Sequence, residues 1–350
     1  MPELPEVQTT VNGLKTKALN RAFVDVWTDW KKIIRLRSAF GGASARQAKK
    51  PGSFKEFKKE IKNKKIKRIW RRAKNIIFDL SPTNFGQKKE HKLISGQKIP
   101  KLVGDESDGP ALSGAEGYSL LIHQKMTGHL LYGLWNIKNG IWIPSEQGPL
   151  NDPYNRFIHL IFFLDDPPSH KASDGQSGNM IALSDLRKFA KVELWKTEDL
   201  LNSKEFKGLG PEPLDKNFTF KKFKEILKNK KGKVKQVLMD PYIITGIGNI
   251  YSSEALWQAK IHPEKSVAKL DNKELKSLYQ AIKKVLELGV KLGGESFSDY
   301  RKPDGSKGDF DTERKAYKRE GQKCQRCGAK IKRIKVSQRS AFFCPYCQKP

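Results

Sequence analysis

The 350-residue sequence predicts an α+β protein: a helix, then a β-sandwich, then a helical half that ends in a four-cysteine module. Three observations carry this. Apolar residues recur at spacings of three and four at the start of the chain and again after residue 270, the period of a helix with one buried face. Between them lie many short β-branched and aromatic runs separated by turn formers, the pattern of packed antiparallel sheets. All four cysteines fall between 324 and 347, and the 323 residues before them contain none.

Taken in order, Leu4, Val7, Val11, Leu14 and Ala18 define a helix over 4–18. Pro5 suits its first turn, where an amide would be orphaned, and Glu6 complements the helix dipole there. Strands are expected at 23–27, 66–70, 76–80, 118–123, 129–134, 157–164, 180–183 and 191–195. Three stretches, 39–53, 81–117 and 165–179, are rich in Gly, Ser, Lys, Asp and Pro and lack a hydrophobic period, so they read as surface insertions. The run from Gly208 to Leu214 reads as a linker. A helix follows with Leu275, Leu278, Ile282, Val285 and Leu286 on one face, opened by a capping box of Asp271 and Glu274. The expected division is 1–200, a linker at 201–216, 217–312, and 313–350 for the cysteine module.

Lys and Arg number 68 against 38 Asp and Glu, a formal charge of +30. Such an excess favours a polyanionic partner, a nucleic acid or an anionic membrane surface, because each neutralised phosphate releases condensed counterions. No apolar stretch is long enough to span a bilayer, and the opening residues lack the basic-then-apolar pattern of a signal peptide. Cytoplasmic residence, a monomeric state and no membrane partner are the expectations.

Cys324 and Cys327 form one C-x2-C knuckle and Cys344 and Cys347 another, sixteen residues apart. Four thiolates in two knuckles suit one tetrahedral structural Zn2+ with no open coordination position. The hairpin between them carries Lys330, Lys332, Arg333, Lys335 and Arg339, a basic finger suited to phosphates.

At the other end, loss of Met1 would expose Pro2 as a secondary amine. An α-amine titrates at about 7.7–8.0, so a useful fraction is free base at neutral pH. Its attack on a sugar carbon gives an iminium that keeps its charge, since proline nitrogen has no second proton to lose. Glu3 and Glu6 stand beside it as acid–base groups. On residue types alone, an ordinary helix start is the better reading of these positions.

The combination is more specific. Met1-Pro2-Glu3-Leu4-Pro5-Glu6-Val7 is followed by Arg71-Arg72-Ala73-Lys74, Lys125-Met126-Thr127-Gly128, Asp185-Leu186-Arg187-Lys188-Phe189, Gly210-Pro211-Glu212-Pro213-Leu214, Gly246-Ile247-Gly248-Asn249-Ile250-Tyr251 and, within the finger, Gln338-Arg339. In this order the set resembles the Fpg/Nei family of formamidopyrimidine-DNA glycosylases over nearly the whole chain. The resemblance implies a β-sandwich carrying a catalytic N-terminal helix, a helix–two-turn–helix domain with a zinc finger, and damaged double-stranded DNA in the cleft between.

It further implies Pro2 as Schiff-base nucleophile, Glu3 as proton donor, Glu6 in the same site, Lys74 in phosphate contact and β-elimination, and Arg339 in phosphate grip and δ-elimination. Asn249, Lys235 and Lys231 match DNA-contacting residues. Met126, Arg187 and Phe189 match the set that fills the void left by an extruded nucleotide, which favours oxidised purines such as 8-oxoguanine and formamidopyrimidines. The 293–310 stretch matches the loop that caps the flipped base, although Glu295-Ser296 departs from commoner versions. The expected activity is base excision repair: a bifunctional glycosylase and abasic-site lyase acting on DNA of the nucleoid. The competing readings are an endonuclease VIII-like enzyme for oxidised pyrimidines and a non-catalytic zinc-ribbon nucleic-acid-binding protein.

Overall fold

The computed structural model describes residues 1–37, 54–81, 117–165 and 178–350. The expected insertions at 39–53, 81–117 and 165–179 lie almost wholly outside the described residues. Helix α1 (Leu4–Ala18) is followed by β1 (Phe23–Thr28), β2 (Ile34–Arg37), α2 (Phe54–Ile61), β3 (Ile66–Arg72), β4 (Asn75–Leu80), β5 (Tyr118–His123), β6 (His129–Gly133), β7 (Trp135–Lys138), β8 (Ile141–Pro144), β9 (Ile158–Leu164), β10 (Met180–Ser184) and β11 (Lys191–Lys196). The helical half contains α3 (Thr197–Asn202), α4 (Lys204–Lys207), α5 (Phe220–Leu227), α6 (Val234–Leu238), α7 (Asn249–Ala259), α8 (Asn272–Lys291) and α9 (Phe310–Glu313), and the chain closes with β12 (Lys332–Val336) and β13 (Arg339–Phe343).

Two sheets make the sandwich, ordered β1-β9-β10-β6 and β2-β11-β5-β4-β3. One expectation is corrected: the sheets are not wholly antiparallel, because β2 pairs in parallel with β11, Ile34 opposite Val192 and Leu36 opposite Leu194. The chain leaves β1 in the first sheet, turns through residues 31–33 and lands on the edge of the second. No hairpin joins β2 to β11, so no turn fixes their relative direction.

Between the sheets lie Phe23, Val26, Ile69, Phe78, Ile122, Leu160, Phe162 and Leu183. Helix α1 adds Val7, Val11, Leu14 and Ala18 to this core, whereas Leu4, one turn earlier, is buried in the core of the helical half beside Ile244, Ile247 and Tyr251. A fully buried Leu contributes about 1.5–3 kcal/mol, so α1 is anchored at both ends across the junction of the two halves. The expected capping box of α8 is present: the Glu274 amide donates to Asp271 Oδ1 at 2.8 Å and the Asp271 amide to Glu274 Oε2 at 3.1 Å.

Candidate active site and nucleic-acid interface

The start of α1 is wrapped by the loop ahead of α7. The Leu4 amide donates to the Gly246 carbonyl at 2.9 Å. Gly246 has φ +82°, and a Cβ there would stand 2.7 Å from Leu4 Cβ; at Gly248 it would stand 2.4 Å from Glu3 Cδ. Both glycines are therefore required by close approach. The Glu3 carboxylate then accepts amides of Gly248 at 2.6 Å, Ile250 at 2.9 Å and Tyr251 at 3.4 Å, at the positive end of α7.

Glu6 lies beneath it, 1 % exposed. Its carboxylate accepts the Tyr251 hydroxyl at 2.6 Å, the Glu295 amide at 2.7 Å and the Glu3 amide at 2.7 Å. Burial, reinforced by the charge of Glu3, raises its pKa above the ordinary carboxyl value. Pro2 is buried, and Met1 lines a cavity of about 420 Å3 together with Lys74, His123, Lys125, Lys191, Met239 and Ile247. Burial lowers the pKa of the terminal amine, Lys74 lowers it further, and Glu3, Glu6 and Asp299 oppose the shift.

Lys74 occupies the two-residue turn of the β3–β4 hairpin, after Ala73 at φ +55°. Burial lowers its pKa and Arg339 adds to the effect, against the pull of Glu3 and Glu6, so finger and hairpin tip share one field. Glu212, within the expected linker, fixes this hairpin: it accepts Arg71 Nη1 at 2.6 Å, the Ala73 amide at 2.6 Å and Arg72 Nη1 at 3.2 Å. Burial alone would raise the Glu212 pKa, but Arg71, the Ala73 amide and Arg72 together hold it below the usual value. His123 is driven down to about 3 by burial and by Lys125, Lys74 and Lys191. It is therefore neutral, and its Nδ1 accepts the Lys125 amide at 2.9 Å.

Met126, Arg187 and Phe189 come together on two neighbouring loops. Asp185, fully buried, organises both: its carboxylate accepts the Phe189 amide at 2.8 Å, the Ala190 amide at 2.7 Å and the Thr127 hydroxyl. The Arg187 guanidinium lies 4.6 Å from the Phe189 ring, which is 50 % exposed. Met126 and Phe189 also line a second cavity, of about 620 Å3, among Lys32, Arg35, Lys188 and Lys191.

The C-terminal residues divide. Asn249 opens α7 with a buried, unpartnered Oδ1. Lys231 is exposed. Lys235 is only 1 % exposed and donates to the Asn249 carbonyl at 3.2 Å, Ser252 Oγ at 2.9 Å and Ser253 Oγ at 2.8 Å. Burial lowers its pKa to about 7. Its ammonium thus holds the N-terminus of α7 and does not face outward. Arg339 is exposed at the start of β13, after Ser337 and Gln338, both at positive φ in the hairpin turn. Sequence reasoning assigned no role to Tyr251, Asp185 or Glu212, although all three stand in the quoted motifs, and it missed His123.

The four cysteine sulfurs lie within 4.8 Å of one another. A ZnS4 tetrahedron with Zn–S of about 2.3 Å has sulfurs about 3.8 Å apart, so the cluster fits one structural zinc with every position filled. The finger core of Cys324, Ile331, Phe342 and Cys344 is continuous with Trp257 of α7. Arg326 lies 4.1 Å from that indole ring.

Comparisons with known proteins agree along the chain. The formamidopyrimidine-DNA glycosylase N-terminal domain matches residues 1–192, the H2TH domain of the same glycosylases 209–301, and the zinc finger found in FPG and IleRS 321–350. The formamidopyrimidine-DNA glycosylase of Pelotomaculum thermopropionicum is 31% identical over 349 residues, covering 100% of this chain and 99% of that one. That of Heliobacterium modesticaldum is 32% identical over 349 residues, with both chains covered fully. Among solved structures, Lactococcus lactis Fpg with abasic-site DNA aligns with a TM-score of 0.70 at 27% identity, over 99% of this chain and 100% of that one. MutM with DNA containing carbocyclic 8-oxo-G gives 0.70 at 28%, with both chains covered fully. With a matching N-terminal domain over more than half of its length and full-length relatives above 30% identity, this chain belongs to the formamidopyrimidine-DNA glycosylase family.

Proposed function

We propose that the protein excises oxidised purines, 8-oxoguanine and formamidopyrimidines, from double-stranded DNA and then nicks the strand by β,δ-elimination. One observation carries the reading: Met1, whose loss exposes Pro2, lines the same cavity as Lys74, and its amine lies within the electrostatic reach of Glu3, Glu6 and Lys74. Relatives solved with 8-oxo-G and Fapy-dG DNA support the substrate class.

With Met1 removed, the Pro2 nitrogen attacks C1′ of the damaged nucleotide. The N–C1′ bond forms as the glycosidic bond breaks, and the bond's electron pair leaves with the base. Glu3 protonates O4′, which opens the sugar to an iminium. Loss of a C2′ proton expels the 3′ phosphate, a second elimination expels the 5′ phosphate, and water releases Pro2. Lys74 and Arg339 stabilise the departing phosphates, Asn249 and Lys231 hold the backbone nearby, and Lys235 acts by fixing the α7 N-terminus. Met126, Arg187 and Phe189 fill the gap left by extrusion, with the exposed ring as wedge. Cys324, Cys327, Cys344 and Cys347 would hold the zinc, which would fix the hairpin that carries Arg339. The enzyme acts as a monomer on cytoplasmic, nucleoid DNA. The clustering of all four cysteines in one metal-type motif supports a reducing compartment, and the net charge of +30 supports DNA as partner. No described helix is long and apolar enough to cross a membrane.

Borohydride reduction during reaction with an 8-oxoguanine duplex tests the mechanism. The Met1-processed protein is expected to be trapped covalently, with the sugar on Pro2, and a tag fused ahead of Pro2 abolishes trapping. Trapping with the tag in place, or a stronger preference for thymine glycol, overturns the assignment.

A further inference from the structure

The stretch 293–310 and the wedge loops belong to different halves of the chain, yet a buried polar pair and the short backbone run Thr127–His129 join them. Asn155, 1 % exposed and within a short helical turn at 153–156, is the centre of this link. Its Nδ2 donates to the Gly305 carbonyl at 3.1 Å and to the Pro149 carbonyl at 3.0 Å. Both amide hydrogens are thereby committed, and Oδ1 is left to accept His129 Nε2 at 3.0 Å. The His129 ring, also 1 % exposed, has its pKa lowered by burial and, when neutral, donates its single N–H to Asn155, so its link onward to Thr127 is the backbone two residues back and not a hydrogen bond. Thr127 follows Met126, and its hydroxyl donates to Asp185, which holds the amides of Phe189 and Ala190.

A second arm runs alongside. Arg301, buried, donates to the Ser298 and Tyr300 carbonyls at 2.8 Å each and meets Asp152 at 3.0 Å, three residues before Asn155. The Tyr132 amide takes the Pro303 carbonyl at 2.7 Å. At Gly305, φ +85°, a Cβ would lie 2.6 Å from Leu150 N, so the stretch seats tightly on the 149–156 turn.

We propose that Asn155 and His129 are positioning residues that fix the 293–310 loop relative to the Met126, Arg187 and Phe189 wedge, coupling closure over an extruded base to insertion into the gap it leaves. Both groups are enclosed and bonded to each other, so displacing the Gly305 end unpairs the buried Asn155 amide and disturbs the His129 N–H that it accepts. The inference rests on the proposed base excision, and its consequence is selective. Base removal needs loop and wedge in register, whereas elimination at a preformed abasic site has no base to cap.

The test compares single-turnover excision of 8-oxoguanine with nicking of a preformed abasic site for Asn155→Ala and Asn155→Asp, the latter keeping the acceptor for His129 but losing the donor to Gly305. Excision is expected to fall at least about tenfold in both variants, with abasic nicking within about threefold of the unsubstituted protein. A cycle with Phe189→Ala is expected to be non-additive for excision, because Asn155 and Phe189 act through one network. Parallel loss of both activities, unchanged excision, or additivity in the cycle overturns the proposal. Absence of excision by the unsubstituted protein instead defeats the substrate reading on which it rests.

Discussion

Lys74 contributes to the electrostatics around the start of the chain. Its charge lowers the pKa of the Met1 amine, in addition to the larger effect of burial and against the pull of Glu3 and Glu6, and the Pro2 amine exposed one residue on is expected to feel the same charge. After Met1 removal the attacking amine is that of Pro2, which must be unprotonated, so trapping is expected to rise with pH through that amine's midpoint and to flatten above it. Lys74→Ala is expected to move that midpoint upward in the pH profile of borohydride trapping, besides reducing strand nicking; a midpoint that stays or falls contradicts the role. Phe189 is a second residue whose effect is direct. Its ring stands half in solvent on a loop pinned by Asp185, and base–aromatic stacking is worth about 1–3 kcal/mol. Phe189→Ala should therefore weaken binding to a lesion duplex by about 5- to 150-fold, measured by fluorescence anisotropy, with unchanged thermal stability.

Among the elements, the β3–β4 hairpin depends most on a partner distant in sequence. Arg71, Arg72 and the Ala73 amide all converge on Glu212, 139 to 141 residues away. Removing one member of a buried ion pair costs about 3–5 kcal/mol, and Glu212→Gln is expected to lower the melting temperature and release the Lys74 turn. The sign with pH follows from the depressed pKa. The contribution is complete above the unfolded carboxyl value near 4.5 and is lost as pH falls through the lower folded value. Acid denaturation curves of the variant and the unsubstituted protein should therefore converge at low pH; a constant gap down to pH 2 would rule this out. The β7–β8 hairpin, unread in the sequence, had a signal: Asn139 and Gly140, at φ +52° and +78°, form its turn between Lys138 and Ile141.

At the scale of the molecule, α1 and α7 tie three parts together. α1 joins the sandwich core to the helical core through Val7 and Leu4, and α7 joins the helical core to the finger through Trp257. Gln348 Nε2 also donates to the Ile261 carbonyl at 2.8 Å, just beyond α7. Metal loss should consequently unfold the finger without unfolding the sandwich. Chelation, or Cys347→Ser, is expected to cut DNA affinity at least about tenfold by releasing Arg339, while the β-sheet circular dichroism persists and one zinc per chain appears in a colorimetric assay. Full affinity after complete chelation would separate the finger from DNA binding.

Local chemistry alone determined much of this protein. The period of α1, the capping box of α8, the cysteine spacing and the ordered motifs follow from short-range rules, because each depends on residues close together in the chain. The short edge strand β2 and its parallel direction did not, since four residues carry little periodicity and direction is set by a partner some 150 residues away. Burial of Lys235 was equally hidden: only the fold of α6 against α7 shows that its charge meets Ser252 and Ser253. The sequence thus named the candidate groups, and the tertiary structure decided which face outward and which are consumed inside. That division is physical: identity is a local property, whereas desolvation and hydrogen-bond commitment exist only once distant segments exclude water between them.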